Sequence, residues 1–156
     1  MQELGLAAAG AALALSAAGS ALGTGYAGMA AIGAWKKNFA QNKAAPFLLV
    51  AFVGAPLSQT IYGFILMNSV FGTSQQLAQA NATTVSYLFL MFAALFGGLG
   101  IGASAAMQGK AGAAASDALA ETGKGFGNYI MVLGIIETVA LFTMIFLLVT
   151  LGNLQI

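Results

Sequence analysis

Long apolar runs separated by short polar stretches organise this chain. Four runs stand out, at about 5–34, 46–72, 84–109 and 127–152. Each exceeds the ~20 residues with which a helix crosses a ~30 Å hydrocarbon core. None shows the short apolar–polar alternation of barrel strands. The pattern predicts an all-α membrane protein with four transmembrane helices.

The polar stretches are unequal. The one after the first run holds Lys36, Lys37, Asn38, Gln41, Asn42 and Lys43, and the one after the third holds Lys110, Asp117, Glu121 and Lys124. The stretch near 73–83 and the side chains of the C-terminal tail carry no charge. Lysine accumulates in cytoplasmic connectors. Both lysine connectors are therefore expected in the cytoplasm, with both termini outside a cell membrane crossed several times. The earliest charged side chain is Glu3, whereas a cleavable signal begins with basic residues, so the first run is expected to be a retained helix.

The chain also repeats itself. Leu22-Gly23-Thr24-Gly25 resembles Leu99-Gly100-Ile101-Gly102, 77 residues on, and Gln59-Thr60-Ile61 resembles Glu137-Thr138-Val139, 78 residues on. Two fused helical hairpins of one design follow. The first is expected over 1–75, with helices at about 5–42 and 46–72; the second over 76–156, with helices at about 84–121 and 127–152. Internal repeats of this kind are common in transporters. Runs one and three are rich in small residues, with Gly19/Gly23 and Gly98/Gly102 as GxxxG pairs and Gly25, Gly28, Gly97 and Gly100 beside them. Small residues let helix backbones approach closely in lipid. Runs two and four carry bulkier groups, including Phe47, Phe52, Phe64, Phe142 and Phe146. An inner layer of odd helices and an outer, lipid-facing layer of even ones is expected.

Composition narrows the function. The 156 residues are 60% hydrophobic and 6% charged, with mean hydropathy +0.90, against roughly a quarter charged in a soluble domain. Lipid is therefore a partner. A net charge of +1 argues against nucleic acid. Neither Cys nor His is present, which removes disulfides, thiolate metal sites and the commonest general base. No GxxxxGK[ST] motif offers a phosphate cradle. The chain is not expected to be an enzyme by itself.

One residue breaks the apolar pattern. Glu137 lies inside the fourth run, ~15 Å from its start at ~1.5 Å per residue. A carboxylate at that depth costs at least ~2.5 kcal/mol on insertion scales, and such groups persist where they bind an ion or proton or pair with another charge. No second charge lies deep in any run. Ser58 and Gln59 fall at a matching depth in the second run, just after Pro56, which removes a backbone donor and leaves a carbonyl near Val53, Gly54 or Ala55 free to face a ligand. Gln108 joins them if the third helix continues through the helix-prone 111–120 stretch to a stop at Gly123. One anionic oxygen among neutral ones suits a hard monovalent cation. Tyr62 can orient the carboxylate with its hydroxyl or simply pack.

At these residues the chain resembles the proteolipid rotor-ring subunits of V-type rotary ATPases, among them those of sodium-driven bacterial enzymes. Pro56-Leu57-Ser58-Gln59-Thr60-Ile61-Tyr62-Gly63 is similar to the family's Pro-x-Thr/Ser-Gln-x-x-Tyr-Gly stretch, Met107-Gln108-Gly109-Lys110 to its Gln-Gly-Lys turn, and Ile136-Glu137-Thr138 to its carboxylate motif. The resemblance covers essentially the whole chain. It implies a ring of identical subunits, a stator membrane subunit bearing an arginine, and a rotor stalk on the cytoplasmic side. It implies sodium held by Glu137, Gln108, Gln59, Ser58 and the backbone oxygen of Ala55, with Tyr62 hydrogen-bonded to Glu137. Ser58 stands where the family's sodium enzymes have Thr; both bring a hydroxyl. Proton-driven relatives usually lack the full polar set.

Three other readings compete. One is a proton-carrying ring of the same class. Another is a small multidrug or cation antiporter, although the one tryptophan, Trp35, lies by a connector rather than near Glu137. The third is a purely structural membrane protein.

Overall fold

Alanine, leucine and glycine fill the apolar runs, and the only two prolines are Pro46 and Pro56, so little interrupts helix growth. The computed structural model describes residues 1–154. Among them there is no strand, and four helical spans are long and apolar enough to cross a membrane. The first is α1 (Gln2–Ala40). The second is α2 (Leu49–Gly54), a 3-10 turn (Ala55–Leu57) and α3 (Ser58–Gln79) in succession. The third is α4 (Thr84–Thr122) and the fourth α5 (Phe126–Gly152). The chain is all-α, as its hydropathy pattern predicts.

Each connector has a local cause. Asn42 and Asn81 take positive φ (54° and 50°), a conformation that asparagine tolerates better than most residues. Gly123 closes α4 in the left-handed region at φ 65°, its N–H donating to the Leu119 carbonyl at 2.8 Å. The second span differs from its sequence expectation. It begins at Leu49 and runs to Gln79, through most of the stretch near 73–83 expected to be a connector. The reason is packing: Thr73, Ser74 and Leu77 are buried, and Ser74 fills the space beside Gly5 of α1.

The first and third spans form the centre. They run parallel, and their glycines meet backbone to backbone. A Cβ on Gly19 would lie 2.1 Å from the Gly102 carbonyl oxygen, and one on Gly109 would lie 2.1 Å from that of Gly23. In lipid such close packing is what holds helices together. Gly25 is not on this seam; a Cβ there would meet nothing within 4 Å.

The fourth span is the least buried, and Phe47, Phe64, Phe142 and Phe146 face outward. Two details depart from a strict inner and outer layer. Phe52, expected toward lipid, is fully buried against Phe126 (5.5 Å between centroids) and Tyr129 (6.2 Å). Phe92 and Phe96 of the third span are exposed and stacked on each other.

Two apolar clusters fill the interior. One, with Leu66, Val70, Leu77, Tyr87 and Leu90, lies toward the termini. The other, with Leu49, Phe52, Leu119 and Leu133, lies toward the lysines. A band of polar side chains separates them.

Candidate ion-binding site

Pro56 shapes the first half of this band. It has no N–H for the Phe52 carbonyl one turn back, and the chain tightens into the 3-10 turn Ala55–Leu57. Gly112 of α4 comes up against that carbonyl; a Cβ there would sit 3.0 Å from the Phe52 oxygen. The turn delivers Ser58 and Gln59 as the first residues of α3. The Ser58 hydroxyl lies 3.1 Å from the Ala55 carbonyl oxygen and 3.2 Å from Gln59 Oε1.

The other half comes from α4 and α5. Gln108 is wholly buried, and Gly109 beside it lets α1 approach. Gln59 Nε2 donates to Gln108 Oε1 at 2.9 Å. Gln108 Nε2 donates to the Leu133 carbonyl at 2.9 Å and lies 3.4 Å from Glu137 Oε2. The Tyr62 hydroxyl donates to Glu137 Oε1 at 2.7 Å. Ala55, Ser58, Gln59, Tyr62, Gln108 and Glu137 thus form one connected set across three spans, and every predicted site residue belongs to it. Gln59 and Gln108 are buried, whereas Ser58, Tyr62 and Glu137 are only partly covered. The carboxylate therefore stands where the band opens onto the protein's flank.

The electrostatics are unbalanced. Among the described residues the one salt bridge joins Lys37 and Glu121, far from Glu137. Lys110, two residues beyond Gln108, is exposed, with its ammonium 5.6 Å from the Tyr26 ring centroid. Both Glu137 oxygens face hydrogen-bond donors, the Tyr62 hydroxyl and the Gln108 amide. The neighbouring oxygens of Ala55, Ser58, Gln59 and Gln108 are uncharged. This donor set favours a hard cation of single charge, since a divalent ion would leave a buried positive charge uncompensated. No three His, Cys, Asp or Glu side chains gather among the described residues, so nothing there supplies the extra carboxylates of a divalent site.

Sequence reasoning missed one member of the band. The Ser104 hydroxyl donates to the Ile136 carbonyl at 2.8 Å. Its signal was its place four residues before Gln108, one turn away on the same helix face.

Residues 91–150 match the family model for the C subunit of ATP synthase. The match takes in Ser104, Gln108 and Glu137 but not Ser58, Gln59 or Tyr62, so the second hairpin is the part similar to that family. Comparison with curated proteins found no match.

Proposed function

We propose that this chain is a rotor-ring subunit of a V-type rotary ATPase and carries sodium on Glu137. The observation that carries the reading is a partly covered acid at membrane depth, without a basic partner among the described residues. The Tyr62 hydroxyl and the Gln108 amide, one from each hairpin, adjoin it, and Gln59 joins them through Gln108. The match of the second hairpin to the ATP synthase C-subunit family supports the rotor role. The full polar set around the acid supports sodium over the proton.

The mechanism is electrostatic. With a cation bound, the site is neutral and can pass along lipid. Tyr62 holds the carboxylate toward the site. An arginine of a stator subunit draws Glu137 outward into a transient pair, and the ion leaves. Rotation of a ring of identical copies brings the next loaded site to the stator. ATP is hydrolysed or made in other subunits, and this chain performs no bond chemistry.

At ~1.5 Å per residue, the 39-residue helices α1 and α4 are each ~58 Å long, well beyond a ~30 Å core. In this reading their lysine-bearing ends project into the cytoplasm, where Lys36, Lys37 and Lys43 meet the rotor stalk or anionic headgroups. The termini then lie outside.

The test is carbodiimide labelling of Glu137 in the purified assembly at constant pH and ionic strength. Sodium should protect and potassium should not. Equal labelling in both salts would overturn sodium and leave the proton ring. A Glu137→Gln variant that still supports ion transport would overturn the rotor role as well.

A further inference from the structure

The fourth span carries the acid, yet it is the most weakly held of the four. It is the least buried. Its glycine contacts with α4 are to side chains, Leu147 beside Gly97 and Thr143 beside Gly100, rather than backbone to backbone. Its side-chain hydrogen bonds to other spans, among the described residues, all fall between Leu133 and Glu137. Tyr62 reaches the carboxylate itself. Ser104 and Gln108 also reach the α5 backbone, at Ile136 and Leu133.

These two backbone contacts are spaced as two rungs. Ser104 and Gln108 are four apart on one face of α4, and Leu133 and Ile136 are three apart on one face of α5. Together they fix how far α5 is turned about its own axis. Ile136 immediately precedes Glu137, so that rotation decides where the carboxylate points.

The repeat adds an independent observation. At the 77-residue offset, Ala27 and Ala31 of α1 stand where Ser104 and Gln108 stand in α4. Both alanines are buried. The rungs occur only in the hairpin that bears the acid, so they are not a general requirement of this helical design.

We propose that Ser104 is a positioning residue for Glu137: its bond to the Ile136 carbonyl holds α5 against rotation, so that loading and release move only the Glu137 side chain. This rests on the ion-carrier reading above. Gln108 both adjoins the acid and holds the second rung. Ser104 touches neither the acid nor the neutral site oxygens, so it isolates the positioning effect.

The test compares the intact assembly with Ser104→Ala, which removes the hydroxyl, and Ser104→Thr, which keeps it. Carbodiimide labelling of Glu137 is followed at fixed pH, first without sodium and then across a sodium titration. Interhelical hydrogen bonds in membranes are modest, so the expected change is about three- to tenfold. Ser104→Ala should label faster without sodium and need more sodium for half-protection. Ser104→Thr should stay within about twofold of the parent. Unchanged labelling rates in Ser104→Ala, or a Thr variant as altered as the Ala one, would overturn the proposal. If the parent shows no sodium protection, the sodium reading fails. The sodium-free rates then still decide the role of Ser104, because they require no ion.

Discussion

The two hairpins share a design but not a chemistry. At the 78-residue offset Gln59 stands where Glu137 stands, and Tyr62 stands where the second hairpin has Ala140. At the 77-residue offset, Ala27 and Ala31 stand for Ser104 and Gln108. The first hairpin thus offers neutral oxygens and a phenol, while the second offers the charge and the groups that aim it. Neither half makes a site alone: Gln59 must cross to Gln108, and Tyr62 to Glu137. The two hairpins together form one asymmetric cluster, with one partly covered acid at membrane depth in four spans.

The sharpest way to break this comparison is to exchange the two equivalent residues. Glu137→Gln alone should abolish ion transport and carbodiimide labelling, while the assembly survives, because the amide oxygen can still accept from Tyr62. Adding Gln59→Glu should not restore either activity. An acid at 59 would be fully enclosed, whereas Glu137 is partly open, and Ala140 brings it no hydroxyl. Sodium transport by the doubly exchanged protein would show that the hairpins are interchangeable after all.

A second prediction contrasts glycines within one helix. Gly19→Ala forces a Cβ to within 2.1 Å of the Gly102 backbone, whereas Gly25→Ala enters space with no atom within 4 Å. The first should cost at least the ~1–3 kcal/mol typical of an overpacked core. The second should leave stability unchanged or slightly raised, since alanine is the better helix former. Thermal unfolding in detergent reads both. Equal midpoints would mean that the glycine seam is not what joins the hairpins.

Tyr62→Phe comes next. It deletes the 2.7 Å bond to Glu137 and leaves the ring in place. Hydrogen bonds to charged groups contribute ~1.5–3 kcal/mol, and about 1.4 kcal/mol is a factor of ten. Glu137 should label at least about tenfold faster without sodium. An unchanged rate would make Tyr62 a packing residue, and the first hairpin's share of the site would shrink to Ser58, Gln59 and Ala55.

Much of this was legible in the sequence because membranes impose strict patterns. Apolar runs longer than a bilayer fix the helical class, and Glu137 stands out because nothing else in its run is charged. Gln108 was reachable only by reasoning about helix length. It looks like an edge residue until the alanines of 111–120 extend α4 to the stop at Gly123. Other features were hidden for physical reasons. The burial of Phe52 depends on Phe126 and Tyr129, more than seventy residues away. The helical course of 73–79 depends on α1 covering Ser74. Ser104 carried no signal beyond its spacing from Gln108, because its partner is a backbone carbonyl, which every residue carries.

The smallest effect is expected where the hairpins meet at their lysine-bearing ends, through the pair Lys37–Glu121. The hydrogen bond and charge of Lys37 hold the Glu121 carboxyl below its ordinary 4.5, and Glu121 holds the Lys37 ammonium above its ordinary 10.5. The signs set a window. A depressed carboxyl stabilises the fold above its ordinary value, and that contribution is lost as pH falls through the folded value. A raised ammonium stabilises below its ordinary value, and that contribution is lost as pH rises through the folded one. At pH 7 both contributions are present, but both side chains are solvent-exposed, and exposed pairs contribute little and are screened by salt. Lys37→Ala should therefore leave the unfolding midpoint at pH 7 within experimental error in about 0.15 M salt, roughly physiological ionic strength, and should blunt any loss of stability on acidification below about pH 4.5. A drop at pH 7 as large as that of Gly19→Ala would shift the weight of the inter-hairpin contact from the buried glycine seam to its charged end, where ordinary salt should suffice to pull the two hairpins apart.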